Sequence, residues 1–172
     1  MNNLEKVPQA QPEDTFLELK FGEQMLLWGF RIWVCGYKKD LNTNNLIHLA
    51  YAQAGIPSAQ IALDSIMTLI TANGSGVMDV RCPSCTEISA DEMRLMGTIS
   101  ALQSASSSNA GDIYLECWAK PATLRMLRPV TQMLANVLKE GGMFIRPRPW
   151  SLALHLPSRN LTSTIMHPIT IH

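Results

Sequence analysis

Two of the chain's four cysteines lie three positions apart, in the tetrapeptide Cys82-Pro83-Ser84-Cys85, called the CPSC motif below. Two thiolates that flank a two-residue turn can bind one Zn²⁺ if two further Cys or His ligands complete a tetrahedron. The same pair can work without a metal, with a low-pKa thiol at Cys82 and a resolving thiol at Cys85. The motif therefore indicates a structural metal site or a thiol-redox site.

The metal interpretation needs ligands from distant parts of the chain. The sequence has no second CxxC and no HxxxH, so further ligands have to come from Cys35, Cys117, His48 or the histidines of the C-terminal tail. Our candidate metal ligands are Cys82, Cys85 and Cys117, with zinc as the possible ion. Apart from zinc, we expect no cofactor.

The redox interpretation rests on a short resemblance. A hydrophobic run followed by the CPSC motif resembles a thioredoxin or glutaredoxin site, which implies a nucleophilic Cys82 at a helix N-terminus. However, residues 89–92 fit a capping box in which Ser89 accepts from the backbone N–H of Glu92 and the Glu92 side chain reaches back. We therefore predict that the helix begins after the motif, which favours a metal site or a plain turn over a thioredoxin-type thiol.

The expected compartment bears on the state of the thiols. The N-terminus lacks the basic start and apolar run of a secretory signal, so we expect a cytoplasmic protein. Thiols there are kept reduced, so we expect free thiols or metal ligands rather than two structural disulfides. In the plainest interpretation, the CPSC motif is a tight turn, and Cys35 and Cys117 are small buried hydrophobic residues.

The composition limits the classes of partner. With 172 residues, of which 47% are hydrophobic, the chain can bury one sizeable core. Its charged fraction of 16% is low and it has ten methionines, which favours self-association or a protein partner over a fully solvated surface. The formal net charge of zero argues against nucleic acid as a partner. We expect no membrane span, because charged residues interrupt the most apolar stretch.

Helical periodicity dominates the chain and predicts an all-α, compact bundle of five or six amphipathic helices. Residues 112–118 fit a strand or a helix, and we predict a helix because no strand partner is evident. Pro129 should kink the last helix or mark its true start. The helices are expected from about Pro12 to Cys35, Thr43 to Gly55, Pro57 to Asn73, Ser89 to Leu102, and Pro121 to Gly141.

The chain ends have a different composition from the centre. We predict a disordered arm over residues 1–12, a helical domain over 13–142 and a Pro-containing extended tail over 143–172 that packs on the domain or on a partner. In the tail, Arg146, Arg148 and Trp150 are of types that can contact phosphate or stack on a base, which leaves phosphate or RNA binding as an alternative function.

The first helix is apolar over most of its circumference, which is typical of a helix that is central to a bundle or packed against a second subunit. The sequence therefore predicts a non-enzymatic interaction or regulatory protein, and a homo-oligomer built on this helix. The candidate interface residues are Met25, Trp28, Phe30, Ile32 and Trp33.

Overall fold

The computed structural model describes residues 15–75, 77–105 and 109–148, and their regular structure is helical. These ranges contain no β-strand, and an isolated antiparallel bridge joins Gly74 to Ala119. The predicted all-α class is confirmed, whereas the arm over residues 1–12 and most of the tail lie outside the described ranges. The elements are a 3₁₀ helix (Phe16–Glu18), α1 (Phe21–Lys39), α2 (Asn44–Gln53), α3 (Ala59–Asn73), α4 (Ala90–Ser104), α5 (Asp112–Leu115) and α6 (Pro121–Glu140).

Helix α1 contacts α2, α3 and α4. A Cβ atom added at Gly29 would lie 2.7 Å from Cζ of Tyr51, so the missing side chain lets α2 pack closely against α1. The apolar circumference of α1 is therefore used largely within the chain's own core. Its buried apolar side chains are Leu26, Leu27, Phe30, Trp33 and Val34.

The first α-helix begins at Phe21, later than predicted. Two carboxylates cap two separate helix starts, that of the 3₁₀ helix and that of α1. Glu18 Oε2 accepts a hydrogen bond from the Thr15 backbone N–H at 2.8 Å and so closes the 3₁₀ turn. Glu23 Oε2 accepts from the Lys20 N–H at 2.9 Å and caps α1.

Helix α6 packs against α3, α4 and α5. It runs continuously from Pro121, at its first turn, to Glu140, and Pro129 lies inside it on the exposed side. The helix therefore does not start at Pro129. Its apolar core side is formed by Leu124, Leu127, Leu134 and Leu138.

The predicted helix at residues 112–118 is confirmed for one turn only, Asp112–Leu115. The chain then turns back to the end of α3, where Ser75 N–H donates to the Trp118 carbonyl at 2.8 Å. This turn places Cys117 after α5 rather than within a helix.

Residues 143–148 return to the domain and are not helical. The Gln103 amide donates to the Met143 carbonyl at 2.9 Å and accepts from the Ile145 N–H at 2.8 Å. Met143 and Ile145 are buried in the core. A Cβ atom at Gly22 would lie 2.7 Å from Cβ of Met143, so the glycine lets this segment approach the start of α1.

None of the described helices combines the length and the apolar character needed to cross a bilayer.

Candidate thiol–disulfide site

The CPSC motif forms a hydrogen-bonded turn ahead of α4. Cys85 N–H donates to the Cys82 carbonyl at 3.0 Å, and Pro83 occupies the second position of the turn, where its fixed φ is favourable. Cys82 and Ser84 are exposed and Cys85 is half-buried. The motif therefore presents one of its two sulfur-bearing residues openly to solvent.

The two sulfur atoms of the motif are joined in a disulfide. Their Cα atoms lie 5.2 Å apart, inside the range of about 4.4–6.8 Å that disulfides require. This differs from the free thiols or metal ligands expected from the sequence. That expectation used the compartment alone, whereas the two-residue turn brings the two cysteines within reach of a disulfide.

A buried ion pair lies beneath the turn. Arg31 of α1 donates to both carboxylate oxygens of Glu92 of α4, from Nε at 2.6 Å and from Nη2 at 2.9 Å. Both side chains are 0% exposed. Two parallel charge-assisted hydrogen bonds of this kind fix the relative position of α1 and α4 as well as neutralising both charges.

The same guanidinium holds the backbone that follows the motif. Arg31 Nη1 donates to the Cys85 carbonyl at 2.6 Å, and Nη2 donates to the Glu87 carbonyl, also at 2.6 Å. The half-buried Cys85 is thus fixed through its backbone by a side chain of α1.

Residues 81–89 are called the anchored loop below. The Glu92 carboxylate binds one backbone N–H at each end of this loop. Its Oε1 accepts from the Arg81 N–H at 3.2 Å and its Oε2 accepts from the Ser89 N–H at 2.9 Å. Ser89 Oγ in turn accepts from the Glu92 N–H at 3.1 Å, so the predicted capping box is present in both directions. Helix α4 accordingly starts at Ala90, after the motif, as predicted.

The 3₁₀ helix covers the anchored loop from outside. The Phe16 ring centroid lies 5.0 Å from Cζ of Arg31, within cation–π distance. Phe16 N–H also donates to the Thr86 carbonyl at 2.7 Å. The loop therefore contacts the N-terminal end of the described chain.

Asp91, a second acidic residue near the motif, has a structural role. Its Oδ2 accepts from the Asp79 N–H at 2.6 Å, and its Oδ1 accepts from Arg94 Nη1 at 2.5 Å and from Trp118 Nε1 at 3.2 Å. The carboxylate ties the start of α4 to its two neighbouring segments.

The other two cysteines, Cys35 and Cys117, are free thiols. The Cys117 thiol donates to the Tyr114 carbonyl at 3.0 Å, and although the residue as a whole is exposed, partial burial of its thiol raises its pKa to about 11. Nearby Arg94 lowers this pKa but does not outweigh the burial. Cys35 is half-buried on α1. At neutral pH, Cys117 is therefore almost entirely a thiol.

The three predicted metal ligands do not form one cluster within the described ranges. Within the described ranges, no three His, Cys, Asp or Glu side chains are placed to hold one ion, so Cys117 does not join Cys82 and Cys85 in such a group. The spacing between Cys85 and Cys117 in the sequence does not show where Cys117 lies in the fold. His155, His167 and His172 of the tail lie outside the described ranges, and zinc binding stays a prediction.

The predicted interface residues all lie on α1, against the chain's own core. Phe30 is 0% exposed and Trp33 is 9% exposed, so neither offers much surface to a second subunit. Trp33 Nε1 donates to Asp64 Oδ1 at 2.7 Å. Met25, Trp28 and Ile32 are half-buried and pack against the same core.

The tail arginines that suggested phosphate contacts bind a carboxylate within the domain, and phosphate or RNA binding stays a prediction. Arg146 Nη2 lies 2.9 Å from Glu23 Oε2 and Arg148 Nη1 lies 2.8 Å from Glu23 Oε1. Burial alone would raise the pKa of Glu23, but the hydrogen bonds from these arginines and from two backbone N–H groups outweigh it and lower the pKa to about 2. Trp150 lies outside the described ranges.

Arg31 is the site residue that the sequence did not identify. It appeared only as a charge interrupting an apolar stretch, and its partner is 61 positions away. The sequence did contain a signal for Arg31, because a charged side chain on the apolar face of a buried helix has to be paired with an opposite charge.

Comparison with known proteins gives no relative from which to carry over a function: no protein-family model matches the chain, and neither a curated protein nor a solved structure shows significant similarity to it.

Proposed function

We propose that this chain is a non-enzymatic, cytoplasmic regulatory protein that acts through protein–protein contacts and whose Cys82–Cys85 pair is a reversible thiol–disulfide switch. One observation carries the proposal: the disulfide lies in a surface turn whose flanking backbone is held by the fully buried Arg31–Glu92 pair. Cytosolic disulfides are usually transient and serve redox sensing or catalysis rather than stability.

The exposure of Cys82 supports reversibility. Thiol–disulfide exchange requires a thiolate to reach one of the two sulfur atoms, and Cys82 is on the surface. No large movement of the fold is needed for that encounter.

The anchoring of the loop supports re-formation of the bond. The hydrogen bonds from Arg31 and to Glu92 use backbone carbonyl and N–H groups and no sulfur atom, so they persist after reduction. The two thiols then stay close together, and groups held in this way react with a high effective concentration.

The proposed reaction partner is a dithiol reductant. In the net reaction the protein disulfide takes up two electrons and two protons to become two thiols, and the reductant loses the same and becomes a disulfide. No metal or other cofactor is required for this exchange.

The contact between the anchored loop and the 3₁₀ helix suggests how the redox state reaches a partner. Thr86 of the loop binds the backbone of Phe16, and the adjacent Leu17 is 73% exposed. Because the anchoring persists in both redox states, a protein partner or a second copy of the chain that contacts Leu17 would meet either the disulfide or the two thiols at the neighbouring turn.

The proposal is tested by a redox titration of the purified protein in buffers of reduced and oxidised dithiothreitol. After trapping of free thiols by alkylation, peptide mass spectrometry should show Cys82 and Cys85 passing together from alkylated to bonded in one two-electron transition. Cys117→Ser is the matched control and should leave the transition unchanged, whereas Cys82→Ser should abolish it.

Two results would contradict the proposal. One is that Cys82 and Cys85 remain free thiols in every buffer. The other is a stoichiometric metal ion, found by elemental analysis, that is lost in Cys82→Ser and Cys85→Ser; this would favour the zinc interpretation.

A further inference from the structure

We infer that Cys82 is the sulfur that exchanges with an incoming thiol, and that Ser84 is the hydrogen-bond donor that stabilises the Cys82 thiolate. The inference rests on the proposed function and goes further, because it gives a structural basis for the different roles of the two cysteines and adds Ser84, a residue that neither the CxxC pattern nor the capping box singles out.

The two cysteines differ in access and in restraint. Cys82 is exposed, whereas Cys85 is half-buried and its carbonyl accepts from Arg31 Nη1. An incoming thiolate therefore reaches Cys82 without displacing the anchored loop, and Cys85 is the sulfur that leaves.

Ser84 is placed to act on Cys82. Its Oγ lies 3.5 Å from Cys82 Sγ. In the disulfide the sulfur carries no proton, so the serine hydroxyl has to be the donor of this contact. A thiolate is a stronger acceptor than a disulfide sulfur, and a hydrogen bond to the charged form of a group lowers its pKa.

The turn itself brings Ser84 to this position. Pro83 fixes φ at the second position and the hydrogen bond from Cys85 N–H to the Cys82 carbonyl closes the turn. Ser84, the third residue of the turn, is thereby placed next to Cys82, the first residue. Because this geometry uses backbone groups, it does not depend on the disulfide.

The charged groups around the turn are largely compensated. Arg31 of α1 pairs with Glu92 of α4, and Arg81 of the loop lies 3.6 Å from Asp79. Asp91 of α4 pairs with Arg94. Glu87 of the loop and Glu18 of the 3₁₀ helix are exposed, so solvent screens them. Ser84 contacts the Cys82 sulfur directly, so its hydrogen bond is a specific influence on the Cys82 thiolate.

The exchange proceeds in two balanced steps. A thiolate of the dithiol reductant attacks Cys82 Sγ, the bond to Cys85 Sγ breaks, and the Cys85 thiolate takes a proton. The reductant's second thiol then loses its proton and attacks its own sulfur in the mixed disulfide. This releases Cys82 as a thiolate, which accepts the hydrogen bond from Ser84.

The test measures the pKa of each thiol in the reduced, full-length protein. The rate of iodoacetamide alkylation is followed against pH at Cys82 and Cys85 separately, by fragment mass spectrometry. For Ser84→Ala we expect the Cys82 pKa to rise so that its thiolate fraction at neutral pH falls about three- to tenfold, as expected for the loss of one hydrogen bond. Ser84→Thr keeps the hydroxyl and should restore the wild-type profile.

Ser84 is exposed, so Ser84→Ala should leave the melting temperature unchanged, which separates the thiol effect from a folding effect. An unchanged Cys82 profile in Ser84→Ala, or faster alkylation of Cys85 than of Cys82 in the wild type, would overturn the inference. Either result leaves the redox titration free to succeed, and a failed titration with a Ser84-dependent Cys82 pKa would contradict the proposed function alone.

Discussion

Helix α1 carries two buried charges, and each holds a non-helical segment against the domain. Arg31 holds the anchored loop through Glu92 and two carbonyl groups, and Glu23 holds residues 143–148 through Arg146 and Arg148. Arg31 and Glu92 are both 0% exposed, whereas the Arg146 side chain is 39% exposed. Each of these groups is called a clamp below: the Arg31–Glu92 clamp is entirely internal, whereas the Glu23 clamp combines Arg148, which is 7% exposed, with the half-exposed Arg146.

This difference in exposure predicts a difference in strength. A fully buried pair cannot exchange its partner for water, so loss of one member leaves an uncompensated charge in the core. At the Glu23 clamp, water can replace part of the hydrogen bonding that the half-exposed Arg146 provides to the carboxylate. We therefore expect the anchored loop to be the more rigidly held of the two segments.

The largest effect is expected for Arg31→Met, which leaves the Glu92 carboxylate buried without its partner. We expect a loss of about 3–5 kcal/mol in the free energy of unfolding, measured by urea denaturation. Adding Glu92→Gln should recover part of this loss, because the charge is then removed. A single-variant loss below about 1 kcal/mol would contradict the internal clamp.

A smaller effect is expected for Glu23→Gln, which should cost about 2–3 kcal/mol at pH 7 because charge-assisted hydrogen bonds become neutral ones. The pKa of Glu23 falls from 4.5 to about 2 on folding, so the carboxylate stabilises the fold above about pH 4.5. That contribution is lost as the pH falls towards 2. The difference between wild type and variant in urea denaturation should therefore shrink over this range, and a constant difference would refute it.

Gly22→Ala tests the close approach of residues 143–148 to α1. Because the new Cβ would lie 2.7 Å from Cβ of Met143, a backbone shift is required and we expect a loss of about 1–2 kcal/mol. Hydrogen exchange should show faster exchange at the Ile145 amide, with the Arg81 amide of the anchored loop unchanged. Equal acceleration at both amides would mean that the two clamps are not independent.

The smallest effect is expected for Phe16→Leu, which removes the ring over Arg31 but keeps an apolar side chain. Loss of the cation–π contact should cost about 0.5–1 kcal/mol in thermal or urea unfolding. A cost as large as that of Arg31→Met would show that the 3₁₀ helix, rather than Glu92, is the main support of the guanidinium.

Local patterns in the sequence predicted the all-α class and several of the helix starts. The capping box at Ser89 and Glu92 predicted the start of α4, and Pro121 predicted the start of α6, because each acts within one turn. The later start of α1 was missed, since a capping carboxylate at Glu23 and an acidic residue at Glu13 fit a helix start equally well by residue type.

The two clamps and the disulfide could not be predicted from local sequence patterns. Glu23 and Arg146 are 123 positions apart, and no local pattern marks such a pairing. The cysteine spacing allowed a metal site, a redox pair and a plain turn, because all three need the same two-residue turn. The spacing alone does not distinguish these three, because the further ligands of a metal site would have to come from distant parts of the chain.

The disulfide closes a ring of only four residues, Cys82 to Cys85. In the chain-entropy view a cross-link stabilises a protein by restricting its unfolded chain, and for so short a ring the gain is about 2 kcal/mol, below the 3 kcal/mol or more of longer loops. The oxidised and reduced forms should therefore share one fold, with the reduced form unfolding about 4–8 °C lower. A cell could then change the oxidation state of this surface repeatedly without exposing the chain to proteolysis or aggregation.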